Sequence, residues 1–88
     1  MIYIVTFQTN SEASRLKVCE RLKTFSAYCP IHNYCWAVSS DKKAAEIVDD
    51  VRVALEANER LFVIRSGTEA AWLNTYGEKN SEWLKNNL

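Results

Sequence analysis

Hydrophobic and polar positions alternate along the chain in a way that predicts four strands and two main helices. The opening segment Ile2–Phe7 is apolar at every position except Thr6 and is rich in β-branched and aromatic residues. Such a run is typical of a strand whose two faces are both covered. Residues 11–24 then carry apolar side chains at helical spacing, with most of the charges off that stripe. This segment predicts the first helix.

Two short apolar runs in the middle of the chain predict a hairpin. They lie at residues 26–30 and 34–39, and a tight connection near Asn33 joins them. Pro30 falls in the first run, which is typical of an edge strand because proline has no backbone N–H to donate within a sheet. We therefore expect the first strand of the hairpin to lie at the edge of the sheet.

A second helix is predicted after the hairpin. Apolar residues recur at three- and four-residue spacing between residues 44 and 55, which is the pattern of a helix with one buried face. Ser40 or Asp41 is the expected N-cap of this helix. Asn58 is expected to end it in a left-handed conformation.

The last third of the chain predicts a fourth strand and a short tail. Residues Arg60–Ile64 form another run that is apolar on both faces, and Gly67 ends it. The tail contains an apolar segment at 70–73, a turn at 76–77 and a final helix from about Ser81.

The order of these elements, βαββαβ, predicts an α+β fold of the ferredoxin-like class. With right-handed crossovers, the four strands form an antiparallel sheet in the order 4-1-3-2, and both main helices cover the same face. We expect residues 1–88 to form a single domain, with a short C-terminal extension and helix added to the sandwich.

The second face of the sheet also needs a cover, because the first and fourth strands are apolar on both sides. Either the C-terminal tail or a partner provides it, and association with a second copy is the commonest solution. We assign Tyr3, Val5 and Phe7 to the helix side and expect a homodimer to which the tail, about 68–88, contributes. The predicted dimer-interface residues are Ile2, Ile4, Thr6, Gln8, Trp72 and Leu73.

Charge narrows the classes of partner. The chain has 11 basic and 11 acidic residues, so no overall positive field draws in nucleic acid. A local basic patch on the first helix and at the end of the fourth strand either contacts phosphate or forms an ordinary solvent-exposed face. The candidate nucleic-acid contacts are Arg15, Lys17, Arg21 and Arg65.

The N-terminus and the cysteines indicate a cytoplasmic protein. The opening residues lack the basic region and the long apolar run of a signal peptide. No segment approaches the roughly 20 apolar residues that span a membrane, so no membrane association is expected. Three cysteines, an odd number, do not suggest a disulfide framework.

One local pattern suggests chemistry. Cys29, His32 and Cys35 lie within seven residues and resemble part of a zinc site. A structural zinc site needs four ligands, and the usual Cys-x2-Cys spacing is missing. The alternative is that both cysteines are small buried residues of the hairpin. We therefore predict no metal site, no cofactor and no catalytic residue.

Several short motifs, in order and spacing, resemble the SinR-like small proteins, and the resemblance covers nearly the whole chain. The motifs are Ile2–Thr9, Tyr34–Ser40, Ala57–Arg65, Ala71–Leu73 and Trp83–Leu84. The SinR-like proteins are similar to the small dimeric subunit of the CRISPR spacer-integration complex and to virulence-associated protein D. The resemblance implies a ferredoxin-like homodimer in which the tail takes part.

The resemblance also bears on activity. In nuclease members of the wider group, an aspartate that follows an aromatic residue at the end of the first strand holds a divalent metal. Here Gln8 follows Phe7, and a neutral amide supplies neither the charge nor the base for hydrolysis. The resemblance therefore implies a non-catalytic homodimer that binds a protein or nucleic-acid partner in a mobile-element or defence setting. The alternatives are a metal-dependent nuclease or ribonuclease toxin, and a small-ligand regulatory subunit.

Overall fold

The computed structural model describes residues 1–67 and 69–88 and confirms the ferredoxin-like α+β fold. Its elements are β1 (Ile2–Gln8), α1 (Glu12–Leu22), β2 (Ala27–His32), β3 (Cys35–Ser39), α2 (Ala44–Val51), a single 3-10 turn (Arg52–Ala54), β4 (Arg60–Arg65) and α3 (Glu78–Asn87). The strands form a sheet in the order β2-β3-β1-β4, and all three neighbouring pairs are antiparallel. The predicted strand order is confirmed.

The main core lies between the sheet and the helices α1 and α2. Tyr3, Val5 and Phe7 point into this layer from β1, as predicted. Leu22 from α1 and Ile47 from α2 are fully buried against them. Burying one aliphatic side chain of this size stabilises the fold by about 1.5–3 kcal/mol, so this layer supplies much of the stability.

The start of α1 agrees with the sequence, whereas the cap predicted for α2 is wrong. The Ser11 Oγ accepts a hydrogen bond from the Ser14 N–H at 3.1 Å and caps α1. α2 begins at Ala44, and Lys43 is its N-cap residue. The backbone N–H of Lys43 donates to Glu46 Oε1 at 3.0 Å. Ser40 lies one turn earlier, where its Oγ accepts from the Lys42 N–H at 3.0 Å. The oxygen of Ser40 is thus used by the turn that leads out of β3.

The end of α2 also differs from the prediction. The helix stops at Val51 and tightens into the 3-10 turn at Arg52–Ala54. Asn58 does not take the left-handed conformation; among the non-glycine residues that the structure describes, Asn74 alone has a positive φ. The side chain of Asn58 instead accepts a hydrogen bond from Asn10 Nδ2 at 2.8 Å. Asn58 therefore joins the β4 entrance to the loop after β1.

The C-terminal helix changes the expected picture of the second sheet face. α3 begins at Glu78, three residues before the predicted start, and packs across β2. Leu84 forms a second buried cluster with Cys29 and Ala37 on the side of the sheet away from α1 and α2. The C-terminal tail, one of the two covers considered from the sequence, therefore reaches the second face, where α3 covers the part over β2. No helix in the described ranges is long and apolar enough to cross a membrane.

Candidate interaction surface on the second sheet face

The second sheet face is divided into a covered half and an open half. The covered half lies over β2 and β3, where α3 packs. The open half lies over β4 and the C-terminal end of β1, where the side chains of Phe62 and Ile64 are 60% and 51% exposed. In the β1–β4 register Phe62 lies opposite Thr6, and Ile64 lies opposite Ile4. We call the surface formed by Thr6, Gln8, Arg60, Phe62 and Ile64 the open strip.

The predicted dimer-interface residues are divided between the two halves. Ile2, Ile4 and Trp72 pack, partly buried, against the Leu84 cluster of their own chain. The Trp72 Nε1 also donates to Ser81 Oγ at 3.1 Å, which ties the segment before α3 to the helix. The C-terminal tail, the first of the two covers considered from the sequence, thus shields these three residues.

The other predicted interface residues lie outside the covered half. Thr6 is partly buried, Gln8 is exposed, and Leu73 is 85% exposed. Their role in a dimer stays a prediction. The predicted tail starts at residue 68, which lies outside the described residues, while the rest of the tail is described.

Arg60 and two apolar residues of the open strip were missing from the predicted interface. Phe62 and Ile64 alternate with the partly buried positions of β4, so they lie on the same face as Thr6 and Ile4. The signal was present, because strand four was recognised as apolar on both faces. The predicted interface nevertheless contains residues of the first strand and of the tail only.

A groove runs between the open strip and the C-terminal segment. It encloses about 610 Å³, and Ile4, Ile64 and Leu84 contribute apolar walls. Arg65 and Lys85 also line it. The open half is therefore a concave surface with charged margins, which is a shape that receives apolar side chains of another protein.

The end of β1, where the SinR-like resemblance would place the metal ligand of the nucleases, carries a different arrangement. Gln8 Oε1 accepts a hydrogen bond from Arg60 Nη1 at 2.6 Å. A guanidinium at this position repels a divalent cation, and the amide oxygen is already occupied. Within residues 1–67 and 69–88, no three His, Cys, Asp or Glu side chains lie close enough together to hold a metal ion. The residues present do not fit the metal centre of the nucleases.

The Cys29, His32 and Cys35 pattern does not assemble a site either. Both cysteines are buried, and burial raises the pKa of each thiol. Burial thus disfavours the thiolate form, which is the form that binds metal. His32 is exposed, and its Nδ1 accepts from the Tyr34 N–H at 3.1 Å, which stabilises the turn between β2 and β3.

The four predicted nucleic-acid contacts do not form one free basic surface. Arg15 donates to Glu12 at 2.6 and 3.0 Å, and this hydrogen bond lowers the pKa of the Glu12 carboxyl. Arg21 pairs with Asp50 of α2. Lys17 is exposed on α1, whereas Arg65 lies at the end of β4. Two of the four charges are thus compensated by neighbouring carboxylates.

The comparisons with known proteins give no family assignment. No family model matches the chain, and a search of curated proteins finds no match. The relationship to the SinR-like group stays a prediction, and the function is argued below from the geometry of the open strip.

Proposed function

We propose that the protein is a non-catalytic homodimeric module of the cytoplasm, in which two copies meet through the open strip and together bind a protein partner. The observation that carries this proposal is the pair Phe62 and Ile64, more than half exposed and side by side on a regular strand. The SinR-like resemblance implies the same scaffold role. Three free, buried cysteines support a reducing compartment.

A second copy is the simplest partner for the open strip. A domain of 88 residues buries only about 60–65% of its unfolded surface, so additional apolar burial matters to it. A twofold axis brings Phe62 and Ile64 of both copies together at once. Fully burying each such side chain is worth about 1.5–3 kcal/mol, and association recovers the share of that value that corresponds to the exposed area it covers.

The absence of catalysis is proposed from the contact between Gln8 and Arg60. Metal-dependent hydrolysis at this strand end needs an acidic ligand, and a hydrogen-bonded amide beside a guanidinium supplies the opposite charge. This contact counts against the nuclease alternative. No specific contact favours the small-ligand alternative.

A protein partner is favoured over nucleic acid by the distribution of charge. The formal net charge is zero, and two of the four candidate phosphate contacts pair with Glu12 and Asp50. Phosphate-driven binding requires several uncompensated cations on one surface. The apolar groove beside the open strip is the better match to protein side chains.

Light scattering after size exclusion tests the dimer. We expect a dimer at micromolar concentration for the unaltered chain and a folded monomer for the double variant Phe62→Ser/Ile64→Ser, checked by circular dichroism. Val53→Ser is the matched control, because Val53 is 72% exposed on the 3-10 turn outside the open strip. A monomeric unaltered chain would overturn the proposal.

Two further measurements test the remaining parts of the proposal. Electrophoretic shifts with RNA and DNA at two salt concentrations should show no complex, and a salt-sensitive shift would replace the protein partner by nucleic acid. Incubation of RNA and DNA with Mg²⁺ or Mn²⁺ should give no cleavage above a chelated control. Cleavage that depends on the metal and on the purified protein would disprove the non-catalytic role.

A further inference from the structure

The two edges of the sheet differ in how well they are protected against pairing with another strand. β2 carries Pro30, which lacks a donor, and its register with β3 shifts between Pro30 and His32. These are the devices by which natural sheets block their edges. β4 has neither device, since its register with β1 is uninterrupted from Arg60 to Arg65. The β4 edge is therefore open to another strand.

The hydrogen-bond pattern shows which groups of β4 face outward. The Ser66 N–H donates to the Ile2 carbonyl at 2.9 Å, and Ile2 and Ser66 extend the β1–β4 register by one pair. Because bonded and non-bonded pairs alternate in an antiparallel ladder, the even-numbered residues of β4 bond to β1. The N–H and C=O groups of Leu61, Val63 and Arg65 therefore point away from the sheet.

We infer that two copies pair through their β4 edges, antiparallel about a twofold axis at Val63, so that the four strands of each copy join into one continuous sheet. This inference rests on the proposed homodimer and specifies its geometry. Centring the axis at Val63 places Leu61 opposite Arg65 of the second copy. Every outward N–H and C=O of Leu61, Val63 and Arg65 then has a partner.

The same register also matches the side chains. Phe62 lies beside Ile64 of the second copy in a pair without hydrogen bonds, where side chains approach most closely. An aromatic residue beside a β-branched one is a favourable cross-strand pair. Arg60 falls opposite Ser66 and Arg65 opposite Leu61, so no like charges face each other. The two open strips then form a single apolar surface across the twofold axis.

Moving the axis to Phe62 gives a poorer interface. Leu61 would then pair with Val63, and the outward groups of Arg65 would fall beyond the end of the opposing β4, beside Glu59. The Glu59 N–H already donates to the Glu56 carbonyl at 3.1 Å, and the Glu59 carboxylate accepts a hydrogen bond from the Asn10 N–H at 2.7 Å, so residue 59 is not free to extend the strand. The register centred at Val63 therefore pairs more of the outward N–H and C=O groups of β4 than the register centred at Phe62.

Val63→Pro tests edge pairing separately from contact through the open strip. Proline at this position removes an outward N–H while leaving the β1–β4 hydrogen bonds intact, because the Val63 N–H makes none of them. Val63→Ala is the matched control, since it shortens the same side chain but keeps the donor. We expect Val63→Pro to weaken dimerisation at least about tenfold, as expected for the loss of two central hydrogen bonds. Val63→Ala should weaken it far less.

Hydrogen exchange gives a second, variant-free measurement. In the dimer, the amides of Leu61, Val63 and Arg65 should be protected, and dilution to the monomer should release all three together. A dimer that survives Val63→Pro but is lost in Phe62→Ser/Ile64→Ser would refute edge pairing and leave the proposed dimer intact. An unaltered chain that is monomeric throughout would refute both.

Discussion

The two halves of the second sheet face are built from similar residues but are stabilised differently. In the covered half, Leu84 of α3 is 1% exposed against Cys29 and Ala37. In the open half, the side chains of Phe62 and Ile64 are exposed. The strands are joined there by polar contacts near their ends, such as the hydrogen bond from Arg60 to Gln8. The two halves differ because a single added helix buries only the side chains of the strands that it contacts. The strand farthest from α3 keeps an exposed apolar surface.

The largest expected effect is on the covered half. Leu84→Ala should lower the free energy of unfolding by about 2–5 kcal/mol, because the side chain is buried and leaves a cavity between α3 and the sheet. Urea unfolding followed by circular dichroism measures this change. A loss below about 1 kcal/mol would show that α3 does not hold the covered half in solution.

The next largest effect is on the open half. Phe62→Ala should weaken dimerisation at least about tenfold, since each copy loses an aromatic contact with Ile64 of the second copy beside the twofold axis. The stability of the isolated protomer should change by less than about 0.5 kcal/mol, as for other exposed sites. Sedimentation equilibrium gives the first quantity, and urea unfolding at low concentration gives the second. A large loss of protomer stability would mean that Phe62 belongs to the fold and not to an interface.

A smaller effect is expected on the labelling rates of two buried thiols, Cys29 under α3 and Cys19 in the layer with α1 and α2. In the Leu84→Ala variant, labelling of Cys29 by a thiol reagent should accelerate about tenfold or more, because weaker docking of α3 raises the population of the open form. Cys19, which packs in the layer with α1 and α2, should label at an almost unchanged rate. Mass spectrometry of the labelled peptides measures both rates. Equal acceleration at both cysteines would indicate global unfolding instead.

The smallest effect concerns pH and the polar ties of the open half. Hydrogen bonds from the backbone N–H groups of Asn10 and Glu56, each 2.7 Å long, lower the pKa of Glu59 below its ordinary value of 4.5. Since the folded pKa is the lower one, Glu59 stabilises the fold above pH 4.5, and this contribution is lost as the pH falls through the folded value. Glu59→Gln should therefore flatten the loss of stability in acid.

Thermal unfolding between pH 3 and pH 6 measures the effect of Glu59→Gln. Glu82→Gln is a suitable control, because the Glu82 side chain makes no hydrogen bond to the described part of the chain. An unchanged pH profile for Glu59→Gln would show that the loop between α2 and β4 is not held by this carboxylate.

The sheet could be predicted from the sequence because its signal is local and strong. β1 is a run of large apolar residues that point alternately to the two faces of the sheet. The assignment of Tyr3, Val5 and Phe7 to the helix side is confirmed. The cap of α2 could not be chosen in the same way, because Ser40 and Asp41 both offer an oxygen. The path of the chain after β3 determines which side chain can reach an exposed N–H at the start of α2. That path depends on the tertiary structure and not on the local sequence.

The candidate site was predicted only in part, for a similar reason. Thr6 and Gln8 were placed on the open face by their alternation with the buried residues of β1. The division into two halves depends on where α3 docks, and the sequence of α3 has few apolar residues with which to fix this position. Phe62 and Ile64 became the main surface only because α3 lies over β2 rather than over β4.

Pro30 and the irregular register beside it have a consequence for how far association can go. If both sheet edges accepted strands, a β4 edge could add to a β2 edge, and each addition would expose a fresh end for the next molecule. Such head-to-tail growth yields fibres. Because Pro30 and the shifted register block the β2 edge, the proposed pairing of two β4 edges would leave no open edge on either copy, and association would stop at the dimer.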